Sequence, residues 1–140
     1  MLGLRGTGEY RLKKLGTLSP SREKASNKLA GDVFYRDNDD STITVVNFLY
    51  PDPGPNTVFW VGETGNCDAN SIGNNSYILT PGKVGTREYH GDYAILGPYH
   101  GKEGDVVLRL PDGVKVKDLA WLCIWCKEFN VNFGSEELSE

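Results

Sequence analysis

The sequence predicts an all-β fold: a single domain built as an antiparallel β-sandwich of jelly-roll type, with little or no helix. Three observations predict it. The chain is a series of short apolar runs rich in β-branched and aromatic residues, a strand composition. Turn chemistry divides those runs, with 17 glycines and 7 prolines in 140 residues. No segment carries the 3.6-residue apolar period of an amphipathic helix. A chain of this length makes one domain and can bury a proper core.

The elements follow in order. Residues 1–15 read as a polar arm, basic at Arg11-Leu-Lys-Lys14 and solvated or forming at most a partly ordered first strand. Residues 16–134 form the domain, and 135–140 an acidic tail. Asp32-Val-Phe-Tyr35, the polar turn Arg36-Asp-Asn-Asp-Asp40 and Thr42–Leu49 give a hairpin. Pro51-Asp-Pro-Gly-Pro55 is a stiff loop, and Thr57–Val61 a strand. Residues 62–98, rich in Gly, Asn and Tyr, read as a long loop. Val106, Leu108 and Leu110 alternate with Val107 and Arg109, a half-buried strand. Pro111-Asp-Gly113 then opens the most apolar stretch of the chain. Leu119–Cys126, followed by the alternation Phe129-Val131-Phe133, predicts two central buried strands. Phe59, Trp60 and Trp125 are expected to be structural.

Composition excludes several classes. The net charge is −4 and the pI about 5.2. No basic patch of the kind that binds a phosphate backbone is present, so nucleic acid is not an expected partner. No apolar run approaches the ~18 residues of a membrane span, and Met1-Leu-Gly-Leu is too short for a signal-peptide core. The histidines, His90 and His100, lack zinc-ligand spacing, and no nucleophile or phosphate-cradling motif appears. No nucleophile–base–orienter set can be assembled from these pieces, so whether the chain is an enzyme stays open, with a non-catalytic role the leading reading. Asp37, Asp39 and Asp40 are weak calcium candidates, because they pack carboxylates into one turn. They lack the glycine and distal glutamate of an EF-hand loop, and an ordinary hairpin turn is the plainer reading. Asn74-Asn75-Ser76 is a glycosylation sequon on a polar loop.

Three cysteines permit at most one internal bridge. Cys123 and Cys126 lie three apart on a strand and so face opposite ways, which argues against a bridge between them. Cys67, in a turn-rich loop, can reach Cys123 or Cys126, and all three as free thiols is the third alternative. Tyr89, Tyr93 and Tyr99 fall in loop sequence and are candidate stacking platforms for sugars, although aromatics in a small β domain are more often core.

The ordered set of short motifs carries a family resemblance. Gly16-Thr-Leu-Ser19, Gly31-Asp-Val33, Val46-Asn-Phe48, Gly54-Pro55 and Val58-Phe-Trp-Val-Gly62 come first. Leu96-Gly-Pro-Tyr99, Asp105–Gly113 and Asp118–Cys126 with Val131-Asn-Phe-Gly134 complete it. Together they resemble the DM-thirteen domain of Skeletor- and Knickkopf-type extracellular proteins, often found beside DOMON domains. The resemblance implies an all-β domain, an extracellular location, neighbouring domains in a larger parent protein, and matrix glycan or protein partners. It also implies an electron-transfer role in which one cysteine acts as a bare thiol or a haem ligand. The matching position is Cys126, with Trp121 and Trp125 as candidate walls of an apolar pocket. Cys123 departs from the family pattern, which commonly has serine there. The leading expectation is an extracellular, non-catalytic binding or matrix module; redox chemistry through Cys126, with haem as its candidate cofactor, is the alternative.

Overall fold

The computed structural model describes residues 9–22, 28–91 and 93–139. Nine antiparallel strands build the fold: β1 (Leu12–Pro20), β2 (Ala30–Arg36), β3 (Asp39–Tyr50), β4 (Thr57–Gly62), β5 (Ser76–Leu79), β6 (Tyr99–His100), β7 (Val106–Arg109), β8 (Trp121–Cys126) and β9 (Val131–Glu137). Ala69–Ser71 and Val116–Asp118 are single-turn 3-10 segments.

The strands curl into two layers. One runs β1-β2-β3 with β6 and β7 both on β3, and the other runs β5-β4-β8-β9. β1 joins them, pairing with β2 along Leu12–Leu18 and with β9 at Ser19 and Pro20. At the opposite side a three-residue segment closes the gap. Val84 bridges to Arg109 of β7 and Thr86 to Ile78 of β5. Gly85 lies between them, where a Cβ would meet Leu79 Cδ2 at 2.5 Å and the Arg109 carbonyl oxygen at 3.0 Å, so a side chain there would force a neighbour to shift.

The expected hairpin forms as β2 and β3, with Asp37 and Asn38 at the turn. Gly31 of β2 faces a bulge in β3, where Asn47 takes φ +56° and bends the strand. Bending carries β3 from its pairing with β7 to its pairing with β6. The main core fills the space between layers. Leu18, Val33, Ile43, Val45, Phe48 and Tyr50 meet Phe59, Val61, Leu79, Leu122, Ile124 and Cys126 there.

β4, β5 and β8 are buried at every position. Their inward residues join the main core. Their outward residues, Val58, Trp60, Ile78, Trp121, Cys123 and Trp125, form a second apolar cluster on the far face. Two-sided burial is the reason β8 reads as an unbroken apolar run.

Several boundaries differ from the sequence expectation. β1 begins at Leu12, inside the segment read as an arm, and it buries Leu15 and Leu18. β9 continues to Glu137 because Glu136 and Glu137 pair with Leu122 and Trp121 of β8, so the acidic stretch begins as strand. Phe129 is 67% exposed in the turn after β8, where Asn130 at φ +53° redirects the chain. β5 and the 3-10 turn at Ala69 lie within the stretch read as loop.

Trp125 is 1% exposed and contacts Trp60 at a ring separation of 4.9 Å. Trp125→Ala should lower stability by about 3–5 kcal/mol, as for large aromatics truncated in a core. Phe129→Ala should shift it by no more than about 0.5 kcal/mol, as for exposed positions. Urea midpoints compared at equal slope check both, and a wild-type midpoint for Trp125→Ala would place that indole outside the core.

Candidate functional site

Alternation along β8 separates its two chemistries. Trp121, Cys123 and Trp125 point outward; Leu122, Ile124 and Cys126 point inward. The two cysteines therefore sit on opposite faces of one strand.

On the outer face, Cys123 is joined to Cys67, with a Cα separation of 6.4 Å across 56 residues of chain. Trp60 is the centre of the surrounding cluster. Its ring lies 5.0 Å from Trp121, 4.9 Å from Trp125 and 5.8 Å from Tyr89. The Trp121 indole lies over Gly62, where a Cβ would approach Trp121 Cζ2 to 2.1 Å. Trp121 Nε1 donates to the Thr64 carbonyl at 2.9 Å, and Trp125 Nε1 donates to the Tyr89 hydroxyl at 2.7 Å. Both buried indole N–H groups are thus satisfied by the loops that cover them.

Those loops are well braced. In 63–76, the Asp68 carboxylate accepts from Asn70 N–H at 2.9 Å and starts the 3-10 turn. Ser71 Oγ donates to the Asn66 carbonyl, Ser76 Oγ to the Ser71 carbonyl, and Asn74 Nδ2 to the Asn70 carbonyl. Glu63 N–H donates to the Asn75 carbonyl and closes the loop at its base. The Tyr77 hydroxyl donates to Glu63. Thr64, Asn66, Asp68, Asn70 and Ser71 line an open polar cleft of about 470 Å³ beside this loop.

The second covering loop brings Tyr89 and Tyr93 over the cluster, with Lys127 between their rings. Lys127 Nζ lies 4.4 Å and 4.3 Å from the two ring centres and contacts the Tyr89 carbonyl and Tyr93 hydroxyl. The cation–π contact holds the ammonium where water is partly excluded. Burial pushes the Lys127 amine below its ordinary range and the Tyr89 and Tyr93 phenols above theirs. The Trp125 hydrogen bond opposes the shift at Tyr89. Of the three candidate platform tyrosines, these two share one assembly. Tyr99 is elsewhere, half-buried against Phe48 at 4.9 Å. The faces that Tyr89 and Tyr93 turn to Lys127 are already occupied.

On the inner face, Cys126 is a free, fully buried thiol. Its Sγ–H donates to the Pro55 carbonyl at 3.1 Å. Nearby, the Tyr50 hydroxyl donates to Thr57 Oγ1 and accepts from Gly54 N–H, both at 3.0 Å. Burial raises the Tyr50 phenol. Trp121 and Trp125, expected as pocket walls for this thiol, project from the opposite face of β8. Cys126 borders none of the clefts at Thr64–Asn75, Arg109–Lys115 and Gly73–Arg87. The residues around Cys126 do not fit haem, because the sulfur is committed to a carbonyl inside a filled core with no room for a macrocycle.

The acidic turn is occupied by the fold. Asp39 Oδ1 accepts from Ser41 N–H and Oγ, and Oδ2 accepts from Thr42 Oγ1. These bonds, led by the one from the Ser41 hydroxyl, hold the carboxyl below its ordinary range. Asp37 Oδ1 accepts from Arg11 N–H, and Asp40 lies 3.4 Å from Lys115 Nζ. No group of three or more metal-ligating side chains comes together among the described residues.

Sequence reasoning missed Lys127. Its partners lie 34 and 38 residues away, and no local pattern signals the pairing.

A disulfide-braced all-β module with a buried aromatic face is the class that this geometry defines. A family described as "Electron transfer DM13" matches residues 22–138. The chain belongs to that family. It is 31% identical over 121 residues to protein Skeletor, isoforms B/C, of Drosophila melanogaster, and equally to isoforms D/E. The match covers 86% of this chain but only 13% and 7% of those proteins, so the chain spans a small part of the relatives it matches. No solved structure matches it.

The bridge should be a large share of stability. Closing a loop of this length removes up to about 4 kcal/mol of unfolded-state entropy, and native bridges of this kind stabilise by about 2–4 kcal/mol. Cys67→Ala/Cys123→Ala should lose about that much, measured by urea unfolding of oxidised wild type and variant. A loss under about 0.5 kcal/mol would show that the loop layer stays in place without the bond.

Proposed function

We propose that this domain is an extracellular, non-catalytic module of a larger protein, using its loop surface to engage a matrix glycan or protein. The observation that carries the reading is the burial of Cys126. Its thiol is fully enclosed and donates to a backbone carbonyl, which supports a packing role for it. The other two cysteines are spent on a bridge, and bridges of this kind persist in oxidising compartments. Among the described residues no helix is long and apolar enough to cross a membrane. The cleft at Thr64–Asn75 offers amides and hydroxyls rather than dense charge, which suits a neutral, hydrogen-bonding partner.

Thiol labelling of the native protein tests this. Native Cys126 should stay unlabelled by a maleimide while guanidinium-unfolded protein takes up one label per chain. Added hemin should give no Soret shift that Cys126→Ser abolishes. Fast labelling in the folded state, or a Soret shift lost only in Cys126→Ser, would overturn the assignment of this cysteine to packing.

One observation favours a second reading, electron transfer of the kind that the family's description names. Trp121, Trp125 and Tyr89 all meet Trp60, at ring separations of 5.0, 4.9 and 5.8 Å, so one indole connects the other three rings. Rings at these separations lie close enough to pass single electrons. An azide radical takes one electron from an indole, leaving azide anion, an indolyl radical and a proton. The indolyl radical then regains an electron and a proton from a tyrosine, which becomes the tyrosyl radical. In pulse radiolysis the indolyl signal should decay as the tyrosyl signal rises, at a rate independent of protein concentration and lost in Tyr89→Phe/Tyr93→Phe. Indolyl decay with no tyrosyl product would reject this reading.

A further inference from the structure

The chain contains one Asn-X-Ser/Thr tripeptide in which X is not proline, Asn74-Asn75-Ser76. Its structural setting distinguishes it from a chance match. Asn74 is exposed at the turn before β5, on the loop that Cys67 pins to β8. Its Nδ2 donates to the Asn70 carbonyl at 2.7 Å. That bond uses one of the two amide hydrogens, and an N-linked sugar replaces only one. Asn74 also borders the open polar cleft of about 470 Å³, whose other walls include Thr64, Asn66, Asp68 and Ser71. A first sugar attached there meets hydroxyl and amide partners instead of an apolar surface.

We propose that Asn74 carries an N-linked glycan and that the glycan is added before the 63–76 loop closes. The site rests on the extracellular reading given above. In the transfer, the C1–O bond of a lipid-diphosphate oligosaccharide breaks and a C1–Nδ2 bond forms. Nδ2 gives up one proton, and the lipid diphosphate leaves. The acceptor segment must present the Ser76 hydroxyl as well as the amide. In the folded domain Ser76 is 7% exposed, its hydroxyl donates to the Ser71 carbonyl at 2.7 Å, and its backbone pairs with Gly62. The closed loop therefore withholds half of the recognition element. Cys123 is synthesised well after Ser76, so the emerging chain exposes the acceptor before the Cys67 bridge can form. Timing of synthesis and order of closure are thus compatible.

Two experiments test the proposal. The chain is fused to a secretory leader and expressed in glycosylating eukaryotic cells. The secreted protein should lose the mass of an oligosaccharide on treatment with an N-glycosidase, with Asn74 converted to Asp. Asn74→Gln and Ser76→Ala should show no such loss. A wild-type mass unchanged by the enzyme would overturn the site. The supplied leader makes that result independent of where the parent protein resides, which surface staining of unpermeabilised cells reads separately. Second, purified oligosaccharyltransferase with a lipid-linked donor should modify the reduced, unfolded chain and leave the oxidised, folded chain unmodified. Equal modification of both would overturn the order of events, and modification of neither would overturn the site.

Discussion

The structure depends on one constraint: β4 and β8 must be covered on both faces. In an antiparallel sandwich one face of each sheet normally meets solvent. Here the outward face carries Trp60, Trp121, Trp125 and Val58, so leaving it bare would expose a large apolar patch. Helices usually supply such a cover. This chain supplies two loops, which bring fewer apolar contacts and a larger ordering entropy. The Cys67–Cys123 bridge offsets that entropy for the first loop. The Lys127–Tyr89–Tyr93 assembly and the Trp125–Tyr89 hydrogen bond hold the second.

The same constraint explains how much of the fold was legible in the sequence. β4 and β8 announce themselves as unbroken apolar runs because both of their faces are buried. The β2–β3 hairpin is legible because polar turn residues interrupt a β-branched alternation. Short or edge elements were harder. β5 has only four residues and follows a Gly- and Asn-rich stretch that carries loop chemistry. β1 contains exposed Lys13, Lys14 and Thr17, which mask the inward Leu15 and Leu18. The alternation through Phe129, Val131 and Phe133 has strand period, yet Asn130 in the left-handed region breaks it after Phe129. Side-chain period cannot reveal a turn that a single φ angle decides.

Site legibility divides in the same way. Period-2 geometry was enough to send Cys123 and Cys126 to opposite faces. It could not choose the partner of Cys67, because a loop has no register. Nor could it place Trp121 and Trp125 relative to the thiol until their positions were counted along β8: odd numbers share the bridge's face, and even numbers the thiol's. The split has a chemical consequence. Disulfide exchange requires a thiolate to attack a bridge sulfur directly. With the backbone of β8 between Cys126 and the bridge, that approach is closed in the folded state. The domain can hold an oxidised pair and a reduced thiol three residues apart without scrambling them.

Closure of the sandwich protects its sheet edges. An open sheet edge invites pairing with another chain. β1 removes one pair of edges by belonging to both layers. On the other side, the Val84–Thr86 segment bonds to β7 and β5 at once, with Gly85 N–H donating to the Arg109 carbonyl at 2.8 Å and Thr86 N–H to the Ile78 carbonyl at 2.9 Å. Gly85 makes that double contact sterically feasible. The segment begins the same loop that carries Tyr89 and Tyr93 over the indoles. Edge protection and coverage of the aromatic face are therefore one structural act. A change that loosens Val84–Thr86 acts on both layers and on the Trp60 cluster together.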